Sequence, residues 1–334
     1  MQSHLIGWRE YEKMRSESSP LRTALKRYLT QDTNMSDSHS KSGDGTRRFL
    51  FDSFPVRGAL VQLQDTWQQV ASRHDYSPSA RSILAEAMAA SAMFISHLKL
   101  DGQVSLQIAS SGPISQLYAE CDSHGRMRGL ARSPEGAPAH FRFADLSEGG
   151  RMVITIEPEK GRNRYQGIVS LEAKVMAKAL EEYFLQSEQL ETRIWLFAGE
   201  DSVAGLMLQK MPATAGHETD EDAWNRVIQL TDTLTPEELL ELPAEQVLHR
   251  LYHEETVRVF DPQPLAFHCR CSRQRMVDVL RMIGREEARA ALNEEGQLVS
   301  TCEFCNQVYR FDAVDIEQVF VESGARPSGP KVNH

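Results

Sequence analysis

Four of the five cysteines fall near the C-terminal end, as Cys269-Arg270-Cys271 and then, thirty residues on, Cys302-Glu303-Phe304-Cys305. Two close pairs of soft ligands joined by a loop of this length read as a tetrahedral thiolate zinc site. Each pair supplies two sulfurs, and the loop folds back to bring the pairs together. The first pair is the unusual one, because zinc ribbons and fingers ordinarily use Cys-x-x-Cys on both sides. The same four thiols could bind a metal or pair as two short-range disulfides. Arg270, Arg273 and Arg275 lie beside the first pair and should favour thiolate over thiol.

Four thiolates close the tetrahedron and leave no position for water, so catalytic zinc is the poorer reading; His268 in place of one sulfur is a remote variant of it. No catalytic or cofactor-binding residues are expected elsewhere, since Gly-x-Ser-x-Gly, Gly-rich phosphate loops and His-Glu-x-x-His are absent. Ser110-Ser111-Gly112 and Asp201-Ser202 read as turns. Cys121 stands apart and reads as a small buried hydrophobe. The chain is therefore not expected to be an enzyme.

The whole chain narrows the choice. Its 334 residues allow two or three domains. A formal charge of -10 and a pI near 5.6 argue against a general nucleic-acid binder. Between residues 269 and 320 seven Arg and no Lys face nine Asp and Glu, so even the cysteine module lacks a basic face. The N-terminus has no apolar signal core, and no segment approaches the roughly 18 apolar residues of a membrane span. A cytoplasmic protein is expected, where clustered cysteines serve metal binding or redox sensing rather than structural cross-linking.

The elements that must position the thiols follow from periodicity. Residues 1–47 are polar and should form a flexible extension, with Met35 as an alternative start and a short amphipathic helix over Leu21 to Leu29 as its one structured piece. Order should begin near Arg48. Val56 to Leu63 alternates as a strand; Ser77 and Pro78 cap and open a helix whose Met and Phe stripe is core. Strands follow at Val104 to Ile108, Ile114 to Cys121, Arg126 to Ala131, Met152 to Ile156 and Tyr165 to Leu171, with a turn at Glu159-Lys160-Gly161. A helix over Glu172 to Gln186 buries Val175, Met176, Ala179, Leu180, Tyr183 and Phe184. Strands at Thr192 to Ala198 and Ala204 to Leu208 close the region. Helices inserted into an antiparallel meander give an α+β class: an N-terminal sheet domain with packed helices over 48–219, a helical linker over 220–267, and a small C-terminal zinc-binding domain over 268–321. Residues 322–334 read as a disordered tail.

The linker's composition, rich in Glu237, Glu238, Glu241, Glu245, Glu254 and Glu255, reads as short, poorly buried helices that lean on neighbours. In the last module, helices over Met276 to Met282 and Glu286 to Leu292, a turn at Cys302, a strand over Gln307 to Phe311 and a helix over Ala313 to Val321 are expected. For about fifty residues the apolar core alone is marginal, and structural zinc would be its main support.

At this point the residues resemble a known family. His268-Cys269-Arg270-Cys271-Ser272-Arg273, Cys302 to Cys305 followed by Tyr309 and Phe311, Tyr165-Gln166-Gly167-Ile168-Val169, Tyr183 to Gln189 and Phe54-Pro55-Val56-Arg57-Gly58 are together similar to heat shock protein 33, the redox-regulated holdase chaperone. The likeness spans about Arg48 to Val321. It implies that reduced Cys269, Cys271, Cys302 and Cys305 hold one Zn2+ per chain and keep the protein inactive. It further implies that oxidation forms Cys269-Cys271 and Cys302-Cys305 disulfides, releases zinc and unfolds the linker. The exposed surface would then hold unfolded or partly folded client proteins without ATP, and the active form would be a homodimer, with no nucleic-acid or membrane partner. A Cys-x-Cys bridge closes a very small ring, so it should be strained and readily reduced on recovery. The alternative that the residues leave standing is a constitutive zinc-ribbon module binding RNA or a translation factor.

Overall fold

The computed structural model describes residues 43–159, 163–212, 222–292 and 295–321. The expected helix at Leu21 to Leu29, the Met35 start, the tail beyond Val321, the 219/220 linker boundary and most of the Glu159-Lys160-Gly161 turn lie outside them. The described residues divide into two compact units, one of 43–71 with 75–267 and one of 72–74 with 268–321.

The larger unit begins earlier than expected. Strand β1 is Gly45–Phe51, three residues ahead of Arg48, and it pairs antiparallel with β2, Val56–Leu63. Asp44, within the polar stretch assigned to the flexible extension, explains the early start. Its carboxylate accepts from the backbone amides of Gln64, Asp65 and Thr66, which open helix α1, Asp65–Ala71. An acidic side chain from a distant segment thus satisfies the orphan donors of a helix N-terminus, and only the tertiary fold supplies it. Gly58 in β2 has no room for a Cβ because the Phe49 ring crosses it.

Helix α2, Pro78–His97, is capped by the Ser77 side chain and is buried along most of its length, including Met88, Met93, Phe94 and Ile95. Strands β3 Gly102–Ala109, β4 Gln116–Asp122, β5 Arg126–Arg132, β6 Arg151–Pro158 and β7 Tyr165–Val169 make one antiparallel sheet in the order β5-β4-β3-β6-β7. Helix α3, Met176–Tyr183, runs into a π turn at Phe184–Glu188. Val175, expected on its buried stripe, is instead the N-terminal flanking residue and 49% exposed. Strands β8 Thr192–Ala198 and β9 Val203–Lys210 then join β1 and β2 in the order β1-β2-β9-β8.

Helix α2 packs on both sheets, and one core runs from Ala59, Val61 and Leu63 of β2 through its Ala and Met residues to Val104, Leu106 and Ile108 of β3. The α+β class expected from the sequence is the class observed. The sheet built on β2 is apolar on its second face too, where Leu60, Leu206 and Leu208 point opposite to Ala59, Val61 and Met207.

That second face is covered by the charged helices. α4 Ala223–Thr231, α5 Pro236–Glu241 and α6 Ala244–Tyr252 bring Val227, Leu239, Val247, Leu248, Leu251 and Tyr252 onto Phe49, Phe51, Leu60, Leu206 and Leu208. The expectation of poorly buried helices is therefore corrected. Counting glutamates hid an amphipathic stripe: Glu237, Glu241, Glu245 and Glu254 are exposed, Glu238 and Glu255 are covered in pairs with Arg250 and Arg226, and every third or fourth residue is apolar. Thr235 caps α5 in a reciprocal box with Glu238, and Pro243 both ends α5 and flanks α6. Tyr252 shares a 2.6 Å hydrogen bond with Thr231, and Gln62 on β2 donates to the carbonyls of Leu239 and Leu242, at 2.8 Å each. Short strands β10 Val257–Val259, β11 Gln263–Pro264 and β12 Ala266–Phe267 pair with β1, β1 and β5 and finish the unit.

The smaller unit holds α7 Arg273–Ile283, α8 Arg285–Ala290, the hairpin β13 Gln297–Thr301 and β14 Val308–Asp312, and α9 Ala313–Val321. Its core is short: Leu280, Ala288, Leu298, Phe311, Ile316 and Val319. Strand β13 escaped the sequence reading because only Leu298 of its five residues is buried, which leaves no alternation to see.

Candidate metal centre

The cysteines arrive from two different kinds of segment. Cys269 and Cys271 sit in an extended stretch just before α7, whose N-terminus is capped by the Ser272 side chain on the Arg275 amide. Cys302 and Cys305 lie on the connection between β13 and β14. There the Cys302 amide donates to the Gln307 carbonyl, and the Asn306 amide to the Cys302 carbonyl at 2.7 Å. Asn306 adopts φ 58°, the left-handed conformation that Asn tolerates and that closes so tight a turn.

The hairpin brings the two pairs together. All four Sγ atoms lie within 4.8 Å of one another, with Cys269 to Cys302 at 3.6 Å and Cys271 to Cys305 at 3.3 Å. Four sulfurs each about 2.3 Å from a tetrahedral ion would stand roughly 3.8 Å apart, and the observed separations, from 3.3 Å up to at most 4.8 Å, bracket that value. Four close cysteines of this kind could hold a metal ion. The two separations just given both run across the pairs, so the cage itself does not single out Cys269-Cys271 and Cys302-Cys305 as disulfide partners. His268 does not belong to the cluster.

The electrostatics are those of crowded thiols. Partial burial pushes the Cys269 and Cys305 thiols up, against hydrogen bonds from the backbone amides of Cys271 and Gln307. Burial acts the same way on Cys271, but hydrogen bonds donated by Tyr309 and by the neighbouring thiols outweigh it, and this group is lowered. Tyr309 Oη stands 3.2 Å from Cys271 Sγ, and its own proton is held more tightly, to about 12. The sequence reading credited the arginines with stabilising thiolate. Arg273 is committed elsewhere: it donates to the Arg310 carbonyl, pairs with Asp315 at 2.8 Å and lies over the Phe311 ring. The Tyr309 hydroxyl on the neighbouring strand, unreadable as a donor before the hairpin was known, makes a contact to Cys271 that the spacing did not suggest. Cys121, by contrast, is fully buried on β4 with its thiol raised by desolvation, in keeping with its reading as an inert hydrophobe.

A family model described as Hsp33 protein matches residues 44–312, a span that contains all four clustered cysteines. The chain belongs to the Hsp33 family. Its start at residue 44 coincides with the Asp44 cap and β1. Among Hsp33 relatives, the 33 kDa chaperonin of Nitrosococcus oceani is 44% identical over 284 residues, 85% of this chain and 96% of that protein. The 33 kDa chaperonin of Pseudomonas aeruginosa is 46% identical over 297 residues, 88% of this chain and 98% of that one. The crystal structure of the 33 kDa chaperonin from Thermotoga maritima superposes with a TM-score of 0.69 at 20% identity, covering 84% of this chain and 99% of that one, a likeness of fold. These relatives are named as chaperonins, not as enzymes. No helix among the described residues is long and apolar enough to cross a membrane.

Proposed function

We propose that this Hsp33 family member is an ATP-independent holdase switched by oxidation, with Cys269, Cys271, Cys302 and Cys305 as ligands of one zinc ion in the inactive, reduced form. The observation that carries the proposal is the four-sulfur cage in a unit with a short apolar core, marginal support for a segment of about fifty residues. When bound, zinc would supply positive charge to offset the thiolates and cross-link the β13–β14 hairpin to the segment before α7. The soft all-sulfur donor set and its closed geometry fit that ion better than a hard cation.

Peroxide at the thiols would make the switch. Each disulfide formed from two thiols gives up two electrons and two protons, and one peroxide takes them up to become two waters, so two peroxides convert the four sulfurs. Sulfurs held in Cys269-Cys271 and Cys302-Cys305 bonds no longer offer thiolates to a metal, and the small unit loses its support. Helices α4 to α6 precede this unit in the chain, with the short strands β10 to β12 between them. Release of the helices would bare Phe49, Phe51, Leu60, Leu206 and Leu208, an apolar sheet face suited to unfolded or partly folded clients. The same face is a ready surface for a second copy, in line with a homodimer in the oxidised state. The cell compartment consistent with a reversible thiol switch is the cytoplasm.

The constitutive RNA-binding reading is the weaker one. In the smaller unit Arg273, Arg281, Arg285 and Arg289 are paired with Asp315, Asp278 and Glu317, so no basic face is presented by them. The deciding experiment treats the full-length protein with hydrogen peroxide at mildly elevated temperature and follows zinc release, disulfide mapping and aggregation of a heat-labile client together. One zinc per chain should leave as client protection appears. Equal protection by the reduced and oxidised forms would sink the switch.

A further inference from the structure

Between α1 and α2 the chain passes through Ser72, Arg73 and His74, three residues that belong with the smaller unit. Arg73 and His74 both reach the turn that carries Cys302 and Cys305. Arg73 Nη1 donates to the Cys305 carbonyl at 2.9 Å, from 232 positions away in sequence. His74 Nε2 stands 2.6 Å from the Glu303 carbonyl. A carbonyl only accepts, so this ring nitrogen carries the proton and donates it. In return the side-chain amide of Asn306 donates to the Arg73 carbonyl.

These bonds add to the ones the turn makes within itself. There the Asn306 amide is bonded to the Cys302 carbonyl and the Cys302 amide to the Gln307 carbonyl. The carbonyls of Glu303 and Cys305 take their donors from His74 and Arg73. A peptide unit is planar, so a carbonyl held at its oxygen fixes the whole unit and the direction in which the flanking residues leave it. The units held in this way join Glu303 to Phe304 and Cys305 to Asn306, on either side of the second ligand of the pair. Asn306, at φ 58°, closes the turn with its backbone and grips Arg73 with its side chain. The Arg73 guanidinium also brings a positive charge to the backbone of a centre in which four thiolates would outweigh one divalent cation, and a charged donor makes the stronger hydrogen bond.

We propose that Arg73 and His74 are positioning residues of the metal centre, holding the turn of Cys302 and Cys305 in its ligating conformation by the carbonyls of Glu303 and Cys305. The proposal rests on the reading of the four cysteines as zinc ligands. A turn ordered before the ion arrives loses less conformational entropy on binding, so the ion is held more tightly. Groups that orient the ligands of a metal from outside in this way set its affinity nearly as much as the ligands do. Arg73 and His74 thereby also set how readily an oxidant expels the ion.

The test uses the full-length reduced protein and measures zinc affinity by competition with a chromophoric chelator, beside hydrogen exchange at the Cys302 and Asn306 amides. Arg73→Met removes the donors and the charge, whereas Arg73→Lys keeps the charge and a donor. His74→Leu and His74→Gln make the same contrast, and Asn306→Gly keeps the left-handed backbone while removing only the side-chain amide. R73M and H74L should bind zinc about 10- to 100-fold more weakly, with R73K and H74Q recovering most of the loss. Exchange at the two amides should quicken in R73M, H74L and N306G, with β1 and β2 as protected as before. Zinc affinity unchanged in R73M and H74L, or a loss that R73K and H74Q do not recover, overturns the proposal. If R73M does not fold, the His74 pair and N306G decide it. If the unaltered protein binds no zinc, the reading of the cysteines falls first, and unchanged exchange at the turn in these variants would show separately that Arg73 and His74 do not hold it.

Discussion

Cys302 is the most buried residue of the thiol cluster, and the turn that follows it, closed by Asn306, sets the second pair. Replacing any one of the four by Ser should leave three sulfurs and a hard oxygen, so C302S is expected to purify with well under one zinc per chain and to show no cooperative melting of residues 268–321. Metal analysis and hydrogen exchange check both. A second residue-scale effect belongs to Glu86 on α2, whose carboxyl is pushed up to about 7 by burial. Its folded value lies above its unfolded one, so the group is no burden below about pH 4.5, and from there to about pH 7 the fold is progressively destabilised as the unfolded chain ionises first. Glu86→Gln should therefore raise thermal stability by about 1–3 kcal/mol at pH 8 and by nothing at pH 4. Melting curves at the two pH values measure it; a gain at both would assign the effect to something other than ionisation.

At the scale of elements, the helices over 223–252 are the part on which the proposed switch acts. They are held by apolar burial and by a few polar ties, of which Gln62 to the Leu239 and Leu242 carbonyls is the one that reaches from the central strand β2 to the end of α5. Gln62→Leu should cost about 1–3 kcal/mol, since it leaves two partly buried carbonyls without donors. The loss should appear as faster amide exchange over α5 and α6 with β2 and β9 still protected. Leu248→Ala, which empties part of the contact with the sheet, should cost about 2–5 kcal/mol. Under the proposed function the reduced L248A protein would already suppress client aggregation, an activity the unaltered reduced protein lacks. Protection that still required oxidant would separate helix stability from control.

For the whole molecule, the metal of the proposed function would act through the smaller unit. Under the proposed function its four cysteines would hold the ion as thiolates, so lowering the pH would make protons compete with the metal, and a chelator at mildly acid pH should strip the ion faster than at pH 8. Two melting transitions are then expected where the larger unit, with its continuous core around α2, stays folded after the smaller one has opened. Calorimetry with and without chelator tests this, and a single transition shifted as a whole would contradict it.

Much of this was legible beforehand because it depends on local pattern. The Ser77-Pro78 start of α2, the strand over Val56 to Leu63, the Thr235 cap and the helix over Ala313 to Val321 follow from residue type and period, which neighbours in sequence suffice to set. The cysteine spacing pointed to the four residues that the fold brings together as a possible metal site. What local pattern could not carry was anything satisfied from a distance. Asp44 reads as part of a flexible polar stretch until the amides of Gln64 to Thr66 meet it. The glutamate-rich helices read as exposed until the second apolar face of a sheet meets their inner stripe. Arg273, one of three arginines expected to favour thiolate, is engaged by Asp315, and it is Tyr309 on the hairpin that donates to Cys271. A sequence fixes which groups need partners, through their charge, hydrogen-bonding capacity and apolar area. Which partner each one finds among residues remote in the chain is decided only by packing in three dimensions.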